Sequence, residues 1–508
     1  MVIFLNNKPM LNAYPDSMGG KLSDIVSLLG REELKDVFGS FYILPSLYHS
    51  DLDRGFCVID YDINEELADQ QDLKALKELG IDLKLDFIMN HASAMSPQFK
   101  DLVNRGEESE YKDFFINWND FWQGYGQMTE DGYIQPEQKY LEKMFFRKPG
   151  LPILMVRFPD GKMVPYWNTF YQEEHYPVYL GQMDLNIKSP KVWDFYRETL
   201  KKIASYGADI VRLDAFAYAP KEPGEKNFLN EPGTWELLGR IRELANPHNL
   251  TLLPEIHATY EEKIYKKISE QGYMTYDFFL PGLVIDAIEK KRSSYLAAWA
   301  REIVENDIKV VNMLGCHDGI PLLDLKGILP ESDIQDLIDL IVERGGLVKN
   351  LHGQKNMYYQ VNATYFSALG ESEQKLLMAR AIQLFMPGKP QIWYLDLLAG
   401  KNDHAAVHRA GDSGHKEINR TNLTLEEVNN ALSKEIVRKQ IEMIRFRNEC
   451  KAFEEGAEIS IEEEDGVLRI TWQKDTCNAA LLLDFVHERF EIKENGIIIP
   501  SFSGRDEP

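Results

Sequence analysis

Short, nearly continuous apolar runs alternate along most of the chain with amphipathic stretches whose apolar positions fall three and four residues apart. Eight runs stand out: Met10–Tyr14, Ser40–Leu44, Leu83–Met89, Ile210–Leu213, Leu252–Ile256, Met274–Phe279, Val310–Leu314 and Gln391–Tyr394. A strand buried on both faces has no reason to alternate, so such runs predict parallel strands covered by helices. Repeated strand-then-helix units predict an α/β fold. Eight of them predict a (β/α)₈ TIM barrel, with a doubly wound open sheet as the competitor. Neither GxGxxG nor GxxxxGK[ST] opens a helix, so nothing predicts a nucleotide cradle.

Two spacings break the rhythm. About 120 residues separate the third and fourth runs, far more than one crossover needs. The intervening His91–Asn186, with WNDFWQGYG and VPYWNTFYQ, predicts an inserted domain, and its Trp118 and Trp122 predict that domain's own core. A second excursion runs from Asp318 to Gln360, with a helix near Asp333–Glu343 and the loop RGGLVKNLHGQKN. After the basic amphipathic helix Ile436–Phe453 the pattern becomes alternating, which predicts an antiparallel C-terminal β domain with a turn at EDG. The expected division is 1–90 and 187–317 for the first parts of the barrel, 91–186 for the inserted domain and 318–360 for the excursion. The barrel then ends over 361–453, and 454–508 forms the β domain.

Charge narrows the function. The chain has 57 Lys+Arg against 81 Asp+Glu, a formal net of −24. Such a surface repels phosphate backbones and anionic lipid, so nucleic-acid and membrane partners are not expected. The four cysteines form no CxxC motif, and no apolar run is long enough for a signal or a span. A cytoplasmic protein, monomeric or homodimeric, is the expectation.

In a barrel the carboxyl ends of the strands line the active site. Reading the run ends gives His91 after the third, Arg212 and Asp214 at the fourth, Glu255 and His257 at the fifth, and His317 and Asp318 after the seventh. Buried carboxylates and imidazoles are costly unless paired, so their recurrence at one end predicts a catalytic site. A divalent-metal hydrolase could use His91, Asp214, Glu255, His257, His317 and Asp318 as ligands. No HExxH or HxH accompanies them, however, and Arg212 would put a cation among the ligands, so no metal is expected. Glycoside chemistry fits better. One carboxylate attacks an anomeric carbon, a second donates and removes a proton, and a third supports the oxocarbenium-like transition state. Arg212 would keep Asp214 ionised, while burial would keep a proton on Glu255.

The segments DFIMNH, VRLDAFAY, LPEIH and MLGCHDG, in this order, resemble the conserved regions of glycoside hydrolase family 13, the α-amylase clan. DRGFCVIDYD, GEESEYKDFF, WNTF, HDGIP, TYFSALG, MPGKPQIWYLDLLAGKND and EINR further resemble its sucrose phosphorylase subfamily. This resemblance implies Asp214 as nucleophile, Glu255 as acid/base and Asp318 as transition-state stabiliser. It implies a glucosyl pocket of Asp53, Phe56, His91, Arg212, His317 and Arg420. It also implies an acceptor side with Tyr218, His257, Arg147, Tyr359 and Gln360, where Arg147 is the candidate phosphate cation. The implied activity is retaining transfer of glucosyl from an α-glucoside, sucrose first, to inorganic phosphate, without a cofactor. Glucosylglycerol, glucosylglycerate and, last, sucrose 6′-phosphate are the alternative donors, and an α-glucosidase or transglucosidase is the alternative activity.

The departures gather on the acceptor side. Met357 stands where the subfamily commonly has Asp, and the loop around it is shorter. HRAGDSGHK replaces a Thr-x-x-Gly-Arg run, and Thr421–Asn422 replaces His-Tyr. The glucosyl side carries no such change, so the departures bear on acceptor identity.

Overall fold

Eight parallel strands form one sheet: β1 (Met10–Ala13), β2 (Ser40–Ile43), β3 (Asp82–Ile88), β4 (Ala208–Asp214), β5 (Thr251–Pro254), β6 (Thr275–Asp277), β7 (Val310–Asn312) and β8 (Lys389–Trp393). The computed structural model describes residues 6–146, 150–170, 172–175, 178–348 and 360–502. The strand order is β5-β4-β3-β2-β1-β8-β7-β6, so the last strand pairs with the first. The order is circular and open only between β5 and β6, which pack against each other, so the sheet is a near-closed barrel rather than an open doubly wound sheet. All eight expected runs lie on these strands, with ends shifted by a few residues. β5 ends at Pro254, and Glu255 follows it with its N–H still donating to Leu213 O of β4 at 3.3 Å, which places its side chain at the barrel mouth.

The barrel interior is not wholly apolar. Tyr42, Lys84, Asp86, Arg212, Tyr276 and Gln391 are all buried. Lys84 and Asp86 are two apart on β3 and face the same way, as do Arg212 and Asp214 on β4. The β3–β4 register sets Arg212 opposite Asp86.

The inserted chain leaves and returns on one small sheet. His91–Ser93 pairs antiparallel with Val178–Asp184, with Asp184 opposite His91. Ile116, Trp118, Trp122, Ile134 and Trp167 form a separate apolar core in the insertion. Its neck is held by a buried ion pair. Lys221, just past β4, puts Nζ 2.8 Å from Asp184 Oδ2 and 3.0 Å from Asn90 Oδ1. Asp184 also accepts from Thr169 N at 2.7 Å and Thr169 Oγ1 at 2.6 Å. Removing one partner of a buried pair leaves the other charge uncompensated, at a cost of about 3–5 kcal/mol. Lys221→Met is therefore expected to lower unfolding stability by that much in denaturant titration. A loss below ~1 kcal/mol would mean the neutral donors carry Asp184 alone.

The second excursion holds helix Glu331–Glu343 and three short strands, Ile320–Pro321, Leu347–Val348 and Gln360–Asn362, the last lying in the middle. The chain ends in an antiparallel sheet of β9 (Glu458–Glu464), β10 (Val467–Lys474), β11 (Cys477–Asp484), β12 (Arg489–Glu494) and β13 (Ile497–Ile498), paired in sequence order. The EDG turn joins β9 to β10 with both Asp465 and Gly466 at positive φ, as a two-residue hairpin turn requires. Leu468, Ile470 and Trp472 of β10 face inward, and Trp472 Nε1 donates to Phe385 O at 2.7 Å. Among the described residues, no helix is long and apolar enough to cross a membrane.

Candidate active site

Arg212 sits at the centre of the barrel mouth and is buried. Its Nη1 lies 2.5 Å from Asp86 Oδ1 and 2.8 Å from Asp214 Oδ1, and its Nη2 lies 2.6 Å from Glu255 Oε1. Tyr42 on β2 donates to the other oxygen of Asp86 at 2.8 Å. One guanidinium thus spans two carboxylates from neighbouring strand ends and is fixed from below by a third. Ala215, in the left-handed region, then turns the chain sharply off β4 after Asp214.

Three carboxylates around one guanidinium leave an excess of negative charge out of water. Burial, together with the charges of Glu255, Asp86 and Asp318, pushes the Asp214 carboxyl well up despite Arg212. Burial acts the same way on Glu255, but Arg212 and His257 outweigh it and hold that carboxyl down. These directions are the reverse of those expected from Arg212 beside Asp214 and burial at Glu255, because Arg212 reaches both carboxylates rather than Asp214 alone.

A second cluster faces the first. His317 Nε2 lies 3.1 Å from Asp318 Oδ2, and Lys416 Nζ lies 2.7 Å from Asp318 Oδ1. Arg420 Nη2 lies 3.5 Å from that same oxygen, and its Nη1 lies 3.4 Å from Asp53 Oδ1. Arg420 Nε donates to His317 O at 2.8 Å. Burial would raise the Asp318 carboxyl, but His317, Lys416 and Arg420 hold it well below the usual range. Gly319 follows at a φ of +107°, and a Cβ there would stand 2.5 Å from the Val361 carbonyl oxygen. Only glycine lets the strand Gln360–Asn362 approach so closely. Asn362 Nδ2 donates to Asp318 O at 2.6 Å, which fixes the acid's backbone.

Aromatic contacts join the clusters. The Phe56 ring stacks on His317 with centroids 4.9 Å apart, and the Arg212 guanidinium lies 5.5 Å from its centre. The Phe56 carbonyl accepts from His91 Nε2 at 2.8 Å, and burial pushes the His91 ring toward its neutral form. Phe170 bridges His91 and Tyr218, with centroids 5.0 and 5.3 Å away. His257 stacks on Phe278, and its Nδ1 lies 3.2 Å from Asp324 Oδ1. This leaves Nε2 3.8 Å from Glu255 Oε1.

Twelve of the fourteen residues read from the sequence lie in described parts of the chain. Of these, Asp53, Phe56, His91, Arg212, Asp214, Glu255, His257, His317, Asp318 and Arg420 are linked by the contacts above. Tyr218 joins them through Phe170. Gln360 belongs to the strand beside Asp318, paired with Pro321. Arg147 and Tyr359 lie outside the described residues. Sequence reasoning missed Asp86, Tyr42, Lys416, Asp324 and the buried Gln182, whose Nε2 donates to Phe56 O at 3.2 Å beside His91. Asp86 carried a readable signal, because Lys84 and Asp86 interrupt an apolar run at a spacing of two and so share one buried face. Lys416 carried none, since no strand frames its segment.

The family model for the α-amylase catalytic domain matches residues 34–318. The chain belongs to glycoside hydrolase family 13, the α-amylase clan, and within it to the sucrose phosphorylase subfamily. It is 54% identical over 96% of both chains to the sucrose 6(F)-phosphate phosphorylase of Ilumatobacter coccineus. It is 34% identical over 90% of both chains to the sucrose phosphorylase of Streptococcus mutans. The crystal structure of sucrose 6F-phosphate phosphorylase from Thermoanaerobacter thermosaccharolyticum superposes with a TM-score of 0.89 at 35% identity, covering 98% of each chain.

Proposed function

We propose that this protein is a retaining α-glucoside phosphorylase acting by double displacement. The observation that carries the reading is the Arg212 guanidinium joining Asp214 and Glu255, with Asp318 facing them among His317, Lys416 and Arg420. Asp214 attacks the anomeric carbon as the glycosidic bond breaks, and Glu255 gives its proton to the departing oxygen. Glucosyl is then bonded to Asp214. Glu255 takes a proton from incoming phosphate, whose oxygen attacks from the face the leaving group vacated. The product is α-glucose 1-phosphate. Asp318, ionised by its cations, stabilises positive charge at the ring as each bond loosens.

For this cycle Asp214 must be ionised and Glu255 protonated when substrate enters. A glycosidic oxygen close to Glu255 favours that state, since only the protonated acid can donate to it. Asp53, Phe56, His91, Arg212, His317 and Arg420 hold the glucosyl ring. Tyr218, His257 and Gln360 face the acceptor, and Arg147 and Tyr359, outside the described residues, are assigned to it by the resemblance. Phosphate must outcompete water at the glucosyl-enzyme, and Arg147 is the proposed cation for that step.

Two donors of the sucrose type remain. Sucrose is the donor read first from the sequence. Sucrose 6F-phosphate, ranked last there, is favoured by the name of the 54% identical relative. Residues 349–359 agree with it, because KNLHGQKNMYY carries Lys349, His352 and Lys355 and no acid. A cationic acceptor segment suits a phosphorylated leaving group.

One experiment tests both levels. Initial rates are measured in phosphate buffer with sucrose and with sucrose 6F-phosphate, following α-glucose 1-phosphate and free glucose. Glucose alone as product would remove the phosphorylase reading and leave an α-glucosidase. A donor preference of about a hundredfold in kcat/KM, in either direction, assigns the acceptor site. Reverse reactions from glucose 1-phosphate with fructose, fructose 6-phosphate, glycerol and glycerate check the same assignment.

A further inference from the structure

At the far end of the barrel from the catalytic mouth, the last barrel helix meets the C-terminal sheet around three side chains that the glucosyl chemistry leaves unused. Cys450 directly follows helix Glu435–Glu449, Cys477 opens β11 and Glu494 closes β12. The sheet register explains how two of them meet. Ala479 pairs with Glu494, and Cys477 lies two residues before Ala479, so Cys477 and Glu494 share one face of the sheet. The helix end brings Cys450 to that face, and the two sulfurs stand 3.8 Å apart. The sulfurs and a carboxylate oxygen of Glu494 all lie within 4.8 Å of one another.

These distances match a particular ligand set. Two thiolates bound to one tetrahedral zinc at about 2.3 Å lie about 3.8 Å apart, the separation found here. A thiolate and a carboxylate oxygen on the same ion lie about 3.6 Å apart, so Glu494 need swing in by only about 1 Å. Among the described residues the Glu494 carboxylate has neither an ion pair nor a hydrogen bond to hold it back. Soft sulfur donors select zinc-like ions over calcium or magnesium.

The geometry points to a zinc-type divalent-cation site, with Cys450 and Cys477 as thiolates, Glu494 as third ligand and water completing the tetrahedron. Binding releases the two thiol protons to solvent. Cys450 also lines a cavity of about 440 Å³, together with Lys8, Gly39, Gly80, Arg447 and Asn448. Lys8, Gly39 and Gly80 precede β1, β2 and β3, so the cavity opens at the amino ends of the strands. The bound ion clamps the last barrel helix to the sheet and takes no part in glucosyl transfer. The inference therefore stands or falls apart from the proposed activity.

The test uses untagged full-length protein, reduced with a phosphine, loaded with zinc and dialysed into metal-free buffer. About one zinc per chain is expected by mass spectrometry of the metal, with a thiolate-to-metal charge-transfer band when cobalt(II) replaces it. Zinc should raise the melting temperature of the parent protein and not that of Cys477→Ser. C450S and C477S should lose the ion, and E494Q should weaken binding at least about tenfold. Cys477 is half-buried at a strand end, so C477S carries the test if C450S does not fold. Three results would each overturn the inference: no retained metal with all thiols free, a Cys450–Cys477 disulfide in the parent protein, or undiminished metal in C477S.

Discussion

Asp214→Asn is expected to abolish glucosyl transfer, by about four orders of magnitude or more, without unfolding the protein. The carboxamide is isosteric but cannot form the glucosyl ester, so no residual route through the covalent intermediate exists. The fold should survive because Arg212 keeps two anionic partners, Asp86 at 2.5 Å and Glu255 at 2.6 Å. Removing one of three crowded carboxylates also relieves repulsion in a buried cluster, so the melting temperature should hold or rise. The check is the initial rate of glucose 1-phosphate formation beside a thermal melt of the same preparation. Near-parent turnover would reject Asp214 as nucleophile, whereas lost activity with a collapsed melt would assign it a structural role instead.

Glu255→Gln has the second largest expected effect, and its signature lies in which substrates suffer. A donor with a basic alcohol leaving group needs the proton and should lose about two to four orders of magnitude in rate. An α-glucosyl fluoride needs little acid help and should lose far less in its first step. Equal losses on both donors would argue against general acid catalysis by Glu255. The same variant predicts a shift in pH dependence. The charge on Glu255 is one of the causes raising Asp214, and Asp214 must be ionised to attack. The neutral amide removes that contribution, so the Asp214 carboxyl falls. The acid limb of kcat/KM with the fluoride should then move to lower pH. A limb that stays put or moves upward would mean that another group sets it.

Much of this site was legible from the chain alone. The run ends of LKLDFIMNH, DIVRLDAF and LLPEIH put chemistry at one end of a barrel, because carboxylates and imidazoles that recur at strand ends are costly to bury unless paired. Strand ends could be read only to within a few residues: β5 ends at Pro254, and Glu255, one residue on, is still tied to Leu213 O of β4. The partner of Asp318 was not legible at all, since Lys416 approaches from almost a hundred residues away on a segment with no strand or repeat to frame it.

What the sequence by itself determined is the local part: eight βα units, an aromatic insertion, an alternating C-terminal sheet, and the carboxylates that stand at strand ends. These follow from periodicity and from the cost of burying charge, which act on each segment separately. What only the tertiary structure decided is how charge is shared. Arg212 is bound to Asp86, Asp214 and Glu255 together, which helps hold the Glu255 carboxyl down while burial and the neighbouring carboxylates push Asp214 up. Asp318 is held ionised by His317, Lys416 and Arg420. A protonation state depends on every charge within a few ångströms in a medium that screens poorly, and those neighbours come from distant parts of the chain.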